Sequence, residues 1–135
     1  MKGSYILLLH LKQDTSCTIG KRGPLLFSKG YYVYVGSALN GIEQRIQHHF
    51  KKHKKFHWHI DYLLNHAEIT NVYYKENNEK EECMIASQFT KSFSSTKRFG
   101  CSDCACTSHL FSGTYKNIVH TIETIGMKPY PFDKD

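Results

Sequence analysis

The chain has 135 residues, which suits one hydrophobic core and excludes two domains, because each half would be too small. Hydrophobic residues make up 40% of it, with nine Tyr and eight Phe, which excludes a largely disordered polymer. The formal net charge of +6 favours an anionic partner, since clustered Lys and Arg displace counterions from a phosphate backbone.

No apolar segment has the length of a secretion signal or a membrane span. The longest early apolar run, Ile6 to Leu9, is interrupted by His10. Five cysteines is an odd number, and without an export signal they indicate reduced thiols or metal ligands rather than a disulfide framework. We therefore expect a single cytoplasmic domain over residues 1–135, without a membrane partner.

The first third of the chain predicts strands. Aromatic, aliphatic and β-branched residues indicate a strand from Ser4 to Leu11 and a short one from Thr15 to Ile19. Glycines and a proline indicate a loop over residues 20–30. Tyr31 to Val35 then indicates a strand that ends at Gly36.

Helical spacing dominates the next segment. Apolar residues recur at helical intervals from Ile42 to Phe50, which predicts a helix and places Arg45 and His49 together on a neighbouring face. The next helix is predicted from His57 to His66, and Glu68 to Tyr74 then indicates a strand.

The last part of the chain predicts two helices on either side of a cysteine-rich segment. Glu82 to Phe93 carries its apolar residues on one helical stripe, and Lys116 to Ile125 predicts the last helix. The cysteine-rich segment spans residues 99–111. This order of strands and helices is compatible with one α/β domain.

Short motifs with chemical groups follow one another along these elements. Gly3-Ser4-Tyr5 opens the first strand, Tyr34-Val35-Gly36 closes a later one, and Arg45, His49 and Glu82 follow. This ordered set, over residues 3–86, resembles the GIY-YIG nuclease family. The stretches GYYVYVGSA, HWHIDYLL and FGCSDCACTSHLF resemble its Uri-type endonuclease branch and extend the similarity through residue 111.

The resemblance implies both a fold and an activity. The implied fold is α/β, of the α+β kind, with a small, mainly antiparallel, three-stranded central sheet flanked by helices. The implied activity is that of a divalent-metal-dependent endonuclease that hydrolyses phosphodiester bonds in DNA. In this family one Glu binds the metal, which corresponds to Glu82 and to Mg²⁺ or Mn²⁺, hard cations that take oxygen ligands and keep several waters.

The resemblance also implies roles for the other motif residues. Arg45 is the expected phosphate clamp, because its guanidinium stays charged and can bond two phosphoryl oxygens. Tyr5 is the expected general base, with His49 relaying its proton and with Tyr34 supporting the water and, together with Gly36, shaping the pocket. A tyrosine with a pKa near 10 is a poor base at neutral pH, so this role requires a cation that lowers it.

Structural explanations compete with these roles. Both tyrosines could be packed strand residues whose hydroxyls reach the surface. Glu82 could be an acid favoured by the helix dipole, and the adjacent Glu81 is its rival for the metal. The resemblance leaves open which tyrosine acts.

A cluster of lysines lies between the two central helical segments: Lys51, Lys52, Lys54 and Lys55. It predicts a solvated basic loop that binds nucleic acid, and its alternative is a charge run that only aids solubility. Such a loop recognises phosphate charge rather than base edges, so RNA stays open as a substrate beside DNA.

Four soft or borderline metal ligands fall within nine residues: Cys101, Cys104, Cys106 and His109. They are enough for one tetrahedral Zn²⁺ site, and reduced, buried thiols are the alternative. A further ligand set of His57, His59 and Asp61 is weaker, since on a helix only the first and third share a face. Histidines exposed beside the basic loop are expected there instead.

Two other functions compete with the nuclease. A zinc deaminase uses a His-x-Glu motif and a Cys-x-x-Cys motif, which His66 to Glu68 and the first two clustered cysteines imitate. Gly100 stands where that motif expects Pro, and the His-x-Glu turns into a predicted strand rather than opening a helix. The other alternative is a nucleic-acid-binding domain of the same fold that does not cleave.

Overall fold

A computed structural model of the chain describes residues 1–38, 41–51, 55–56, 58–77, 81–96, 99 and 108–132. The strands in these ranges are β1 (Gly3–Leu11), β2 (Thr15–Ile19), β3 (Gly23–Phe27), β4 (Gly30–Ala38), β5 (Glu68–Glu76), β6 (Ser94–Ser95), β7 (Leu110–Gly113) and β8 (Lys128–Pro129). The α-helices are α1 (Ile42–Phe50), α2 (His59–Leu64), α3 (Glu82–Thr90) and α4 (Tyr115–Ile125). A 3-10 turn spans Gly20–Arg22.

Six of these strands form one sheet in the order β6-β7-β4-β1-β5-β8, and every neighbouring pair is antiparallel. The expected mixed α/β class and antiparallel pairing are confirmed. The sheet differs from the expected three strands, because β6, β7 and β8 extend the central β4-β1-β5 group at both edges. These edge strands have only two to four residues, too few to show an alternating pattern.

The central strand β1 divides the core into two layers, because successive side chains on a strand face opposite sides of the sheet. Tyr5 and Leu7 lie in the layer with the buried residues of α1 and α2. Ile6 and Leu8 lie in the other layer, with those of α3 and α4. β1 is therefore buried on both faces along most of its length, and the two helix pairs cover opposite faces of the sheet.

Several predicted boundaries change. The segment 20–30, expected as a loop, contains β3, which pairs with β2 as a separate hairpin. β4 continues past Val35 to Ala38, so Gly36 lies inside the strand rather than at its end. Predicted from His57 to His66, α2 is a helix of six residues.

The helices otherwise follow their sequence signals. α3 begins at the predicted Glu82 but ends at Thr90, before the predicted Phe93. α4 begins after Thr114, whose hydroxyl caps it by accepting a hydrogen bond from the Asn117 backbone. None of the helices in the described part of the chain is long and apolar enough to cross a membrane.

Candidate active site

The ring of Tyr5 lies against the backbone of Gly36. Strand register places these two residues directly opposite each other on β1 and β4. A Cβ atom added at position 36 would lie 2.7 Å from Tyr5 Cε1 and would overlap Cζ and the hydroxyl. Gly36 is therefore required for space, because any side chain there would displace the tyrosine ring.

His49 binds the hydroxyl of Tyr5. Its Nε2 lies 2.7 Å from the Tyr5 oxygen, and both side chains are buried, with exposed fractions of 3% and 0%. Ile42, Ile46 and His49 are the buried residues of α1, so His49 belongs to the stripe that packs on the sheet. The sequence-based placement of His49 on a neighbouring face was therefore wrong. The partner of His49 is a strand residue inside the core.

Arg45, one turn before His49, is held from several sides. Its Nη1 donates a hydrogen bond of 3.1 Å to the carbonyl oxygen of Ser37. Its guanidinium carbon lies 4.2 Å from the centre of the Trp58 ring, a cation–π distance. Its positive charge also lowers the pKa of Tyr5, so the guanidinium acts electrostatically on that tyrosine. The guanidinium is thus fixed beside the Tyr5–His49 pair.

Both motif tyrosines share one electrostatic environment. Burial raises the pKa of Tyr5 well above its ordinary value, Arg45 opposes this rise, and Glu82 and Asp61 add to it. Burial also raises the pKa of Tyr34, with smaller contributions from Tyr5, Glu82 and Asp61, again opposed by Arg45. Arg45 therefore provides the expected cation, but it only reduces the increase in the pKa.

Glu82 is the first residue of α3, and its carboxylate faces His109. The distance between Glu82 Oε2 and His109 Nδ1 is 3.9 Å, and the exposed fractions of the side chains are 19% and 2%. The rival Glu81 instead forms an ion pair of 3.1 Å with Lys75. The charge of Glu82 also contributes to the raised pKa of both tyrosines, whereas Glu81 is paired with Lys75.

His109, grouped by spacing with the cysteine cluster, also contacts a distant cysteine. Cys83 Sγ lies 3.8 Å from His109 Nε2. Cys101, Cys104 and Cys106 lie outside the described residues. The Zn²⁺ hypothesis therefore stays a prediction, and the side chain of His109 contacts Glu82 and Cys83 of α3.

Asp61 belongs to the site although the sequence analysis placed it among exposed histidines. Its carboxylate is fully buried, and Oδ2 accepts hydrogen bonds from the Trp58 backbone at 3.0 Å and from His48 Nε2 at 3.2 Å. Its Oδ1 lies 3.8 Å from His49 Nδ1. The available signal was its position three residues after the cap of α2, where an acid satisfies a free backbone N–H.

The site offers one carboxylate to a metal. Within the ranges that the structure describes, no three His, Cys, Asp or Glu residues form a group that could hold an ion. The partly exposed Glu82 fits a hard cation such as Mg²⁺, which binds through one or two carboxylates, keeps several waters and takes phosphate oxygens.

The basic segment is described in part. Lys51, which follows α1, and Lys55 are exposed, whereas Lys52, Lys54 and His57 lie outside the described residues. Lys51 lies two residues after His49, so its charge is at the end of the helix that carries the site.

The deaminase alternative loses its helix in this fold. His66 is exposed in a turn and Glu68 is exposed at the start of β5, whereas a deaminase opens a helix at this motif. Its two cysteines, Cys101 and Cys104, lie outside the described residues. In the described part of the chain, the residues of the candidate site are instead those grouped around Tyr5 and His49.

Comparisons with known proteins give a family without a stated activity. A search of curated proteins and a search of solved structures found no match. A family model described as a domain of unknown function, DUF123, matches residues 4–128, which include every described residue of the candidate site. The chain belongs to the family of the domain of unknown function DUF123.

Proposed function

We propose that this chain is a divalent-metal-dependent endonuclease that hydrolyses phosphodiester bonds in DNA, like the Uri-type GIY-YIG nucleases that its motifs resemble. The observation that carries the proposal is the buried hydrogen bond of 2.7 Å between Tyr5 and His49, with the charge of Arg45 acting on the same tyrosine. His49 offers a route for the proton, and Arg45 offers a ligand for the phosphate. Glu82, which also raises the pKa of Tyr5, offers a carboxylate for a cation.

The proton route begins at the attacking water. Because burial raises the pKa of Tyr5, its hydroxyl keeps its proton at neutral pH. Tyr5 therefore acts as a base by passing this proton to His49 Nε2 while it takes one from the water. The water oxygen attacks phosphorus, and the bond to the leaving oxygen breaks.

The charged residues stabilise the transition state of this reaction. Arg45 is held by Ser37 and Trp58, so its remaining donors can bond the phosphoryl oxygens without reorganisation. Glu82 would hold Mg²⁺ or Mn²⁺, which, when bound, neutralises the charge that develops on the phosphate oxygens and the leaving group. Tyr34 lies beside Tyr5, with ring centres 6.4 Å apart, where it can orient the water.

A cleavage assay on circular DNA tests the proposal. Covalently closed duplex, nicked duplex and single-stranded circles, together with a branched substrate, are incubated with Mg²⁺, Mn²⁺ or EDTA. Circles have no ends, so their cleavage is endonucleolytic. We expect metal-dependent cleavage that falls about 100-fold or more in Glu82→Gln and in Arg45→Lys, while the matched control Glu81→Gln keeps the normal rate.

Other results would overturn parts of the proposal. Binding without cleavage on every substrate would identify a nucleic-acid-binding domain that does not cleave. Equal cleavage by Glu82→Gln would remove Glu82 as the metal ligand. To decide which tyrosine acts as the base, Tyr5→Phe and Tyr34→Phe are compared with Tyr32→Phe, a strand tyrosine whose hydroxyl bonds the Ser28 carbonyl oxygen.

A further inference from the structure

Asp61 lies where the first turn of α2 meets the inner face of α1. A fully buried carboxylate is costly unless it is paired and hydrogen-bonded. Its Oδ2 meets this requirement through the Trp58 backbone N–H and His48 Nε2. These two bonds cap α2 and join it to α1, which explains the burial of one of the two carboxylate oxygens.

The other oxygen, Oδ1, is on the side of His49. It lies 3.8 Å from His49 Nδ1, too far for a hydrogen bond but close enough for the buried carboxylate to act electrostatically on that nitrogen. The opposite nitrogen of the same ring, Nε2, lies 2.7 Å from the hydroxyl of Tyr5. His49 therefore has Asp61 at one ring nitrogen and Tyr5 at the other.

This arrangement distinguishes the two neutral forms of the histidine. With the proton on Nδ1, the N–H dipole faces the carboxylate, and the lone pair of Nε2 faces the hydroxyl of Tyr5 and can accept its proton. With the proton on Nε2, the Nδ1 lone pair faces the carboxylate, which is repulsive, and Nε2 cannot accept a proton.

We infer that Asp61 is a positioning residue that holds the proton of neutral His49 on Nδ1, so that Nε2 accepts the proton of Tyr5. Asp61 also stabilises the imidazolium that this transfer produces and does not itself take the proton. The catalytic consequence rests on the proposed nuclease function, whereas the position of the proton on His49 does not. A second role of Asp61, the capping of α2, is separate and is performed by Oδ2.

The test combines a spectroscopic measurement with cleavage. Nitrogen-15 NMR of the histidine-labelled full chain shows which ring nitrogen of His49 carries the proton, with His49→Gln used to assign its signals. We compare the wild type with Asp61→Asn, which keeps the shape and the oxygen that caps α2. Asp14→Asn is the control, because Asp14 also accepts a backbone hydrogen bond, from Lys29, but is an exposed residue between β1 and β2.

We expect the wild type and Asp14→Asn to carry the proton on Nδ1. In Asp61→Asn the amide removes the charge, the proton shifts toward Nε2, and cleavage falls about 100-fold or more. A wild-type signal from the Nε2-protonated form would overturn the inference, even if Asp61→Asn does not fold. An unchanged proton position in folded Asp61→Asn would also overturn it.

The two proposals fail in different ways. If the wild type cleaves none of the substrates while His49 carries its proton on Nδ1, the nuclease proposal fails and the role of Asp61 at His49 stands. If the wild type cleaves and folded Asp61→Asn cleaves equally well, the nuclease proposal stands and Asp61 is not a positioning residue. A purely structural role would lower the urea midpoint of Asp61→Asn without moving the proton.

Discussion

Substitution of Gly36 by Ala tests the packing on which the candidate site depends. A Cβ at this position would overlap the outer end of the Tyr5 ring, and because Tyr5 is fully buried the ring can move only by displacing its neighbours. The ring must therefore shift, and the hydrogen bond of 2.7 Å to His49 breaks as it does so. The substitution should lower both the stability of the fold and the activity of the site.

The magnitude follows from three contributions. Overpacking of a buried position costs about 1–3 kcal/mol. The lost buried hydrogen bond between Tyr5 and His49 costs about 1–3 kcal/mol. Replacement of glycine by alanine returns about 0.5–1 kcal/mol, because glycine loses more backbone entropy on folding. We expect the free energy of unfolding to fall by about 2–4 kcal/mol, which lowers the urea midpoint by roughly 1–2 M.

A double-mutant cycle in urea unfolding isolates the contact. The Tyr5→Leu chain lacks the ring atoms that a Cβ at position 36 would overlap, so Gly36→Ala should cost little in that background. We expect a coupling energy of about 2–4 kcal/mol between the two positions, since it equals the difference between the two costs. An equal cost of Gly36→Ala in both backgrounds would show that the tyrosine ring does not lie on this glycine.

Two further predictions concern the groups around the tyrosines. Trp58→Leu removes the ring that holds Arg45 at 4.2 Å, which should lower cleavage of the circular DNA roughly 2- to 30-fold, and an unchanged rate would contradict this role. Burial raises the pKa of Tyr5 and Tyr34, so the unfolded chain releases these protons near pH 10 while the folded chain keeps them. The free energy of unfolding should therefore fall as pH rises above about 10, by up to about 1.4 kcal/mol per pH unit for each group, and less steeply in Tyr34→Phe. Urea unfolding between pH 8 and 12 measures this slope, and identical slopes for the two chains would contradict it.

Local sequence patterns predicted the elements whose structure is decided locally. β2 has the predicted bounds, and α4 starts one residue before the predicted position, since its cap and apolar stripe lie within one segment. β3 was missed because Gly23 and Pro24 indicate a loop, although pairing with β2 makes the segment a strand. The two-residue strands β6 and β8 exist only through their sheet partners, which no local pattern shows.

The site was predicted in its residue types more fully than in its geometry. The ordered motifs placed Tyr5 and His49 in one site, and the structure brings them into contact across 44 positions of sequence. Helical periodicity assigned His49 to the wrong face. As a polar residue, histidine is expected at the surface, but His49 is buried because it binds a buried tyrosine. Asp61 was missed for the same reason, because its burial depends on partners from α1. Such partners become visible only when the helices pack together.

Substitution of the exposed lysines after α1 distinguishes a role in phosphate binding from a role in solubility. Lys51 and Lys55 are exposed, and Lys51 follows the helix that carries Arg45 and His49. Each lysine that binds a phosphate of duplex DNA contributes about 0.9 to the slope of log affinity against log salt concentration. We expect Lys51→Gln and Lys55→Gln each to reduce this slope by about that amount in filter-binding or fluorescence titrations with EDTA present. Lys116→Gln is the control, because this exposed lysine lies on α4, which covers the opposite face of the sheet. A slope equal to that of the wild type in both Lys51→Gln and Lys55→Gln would show that this part of the lysine cluster contributes solubility and does not contact DNA.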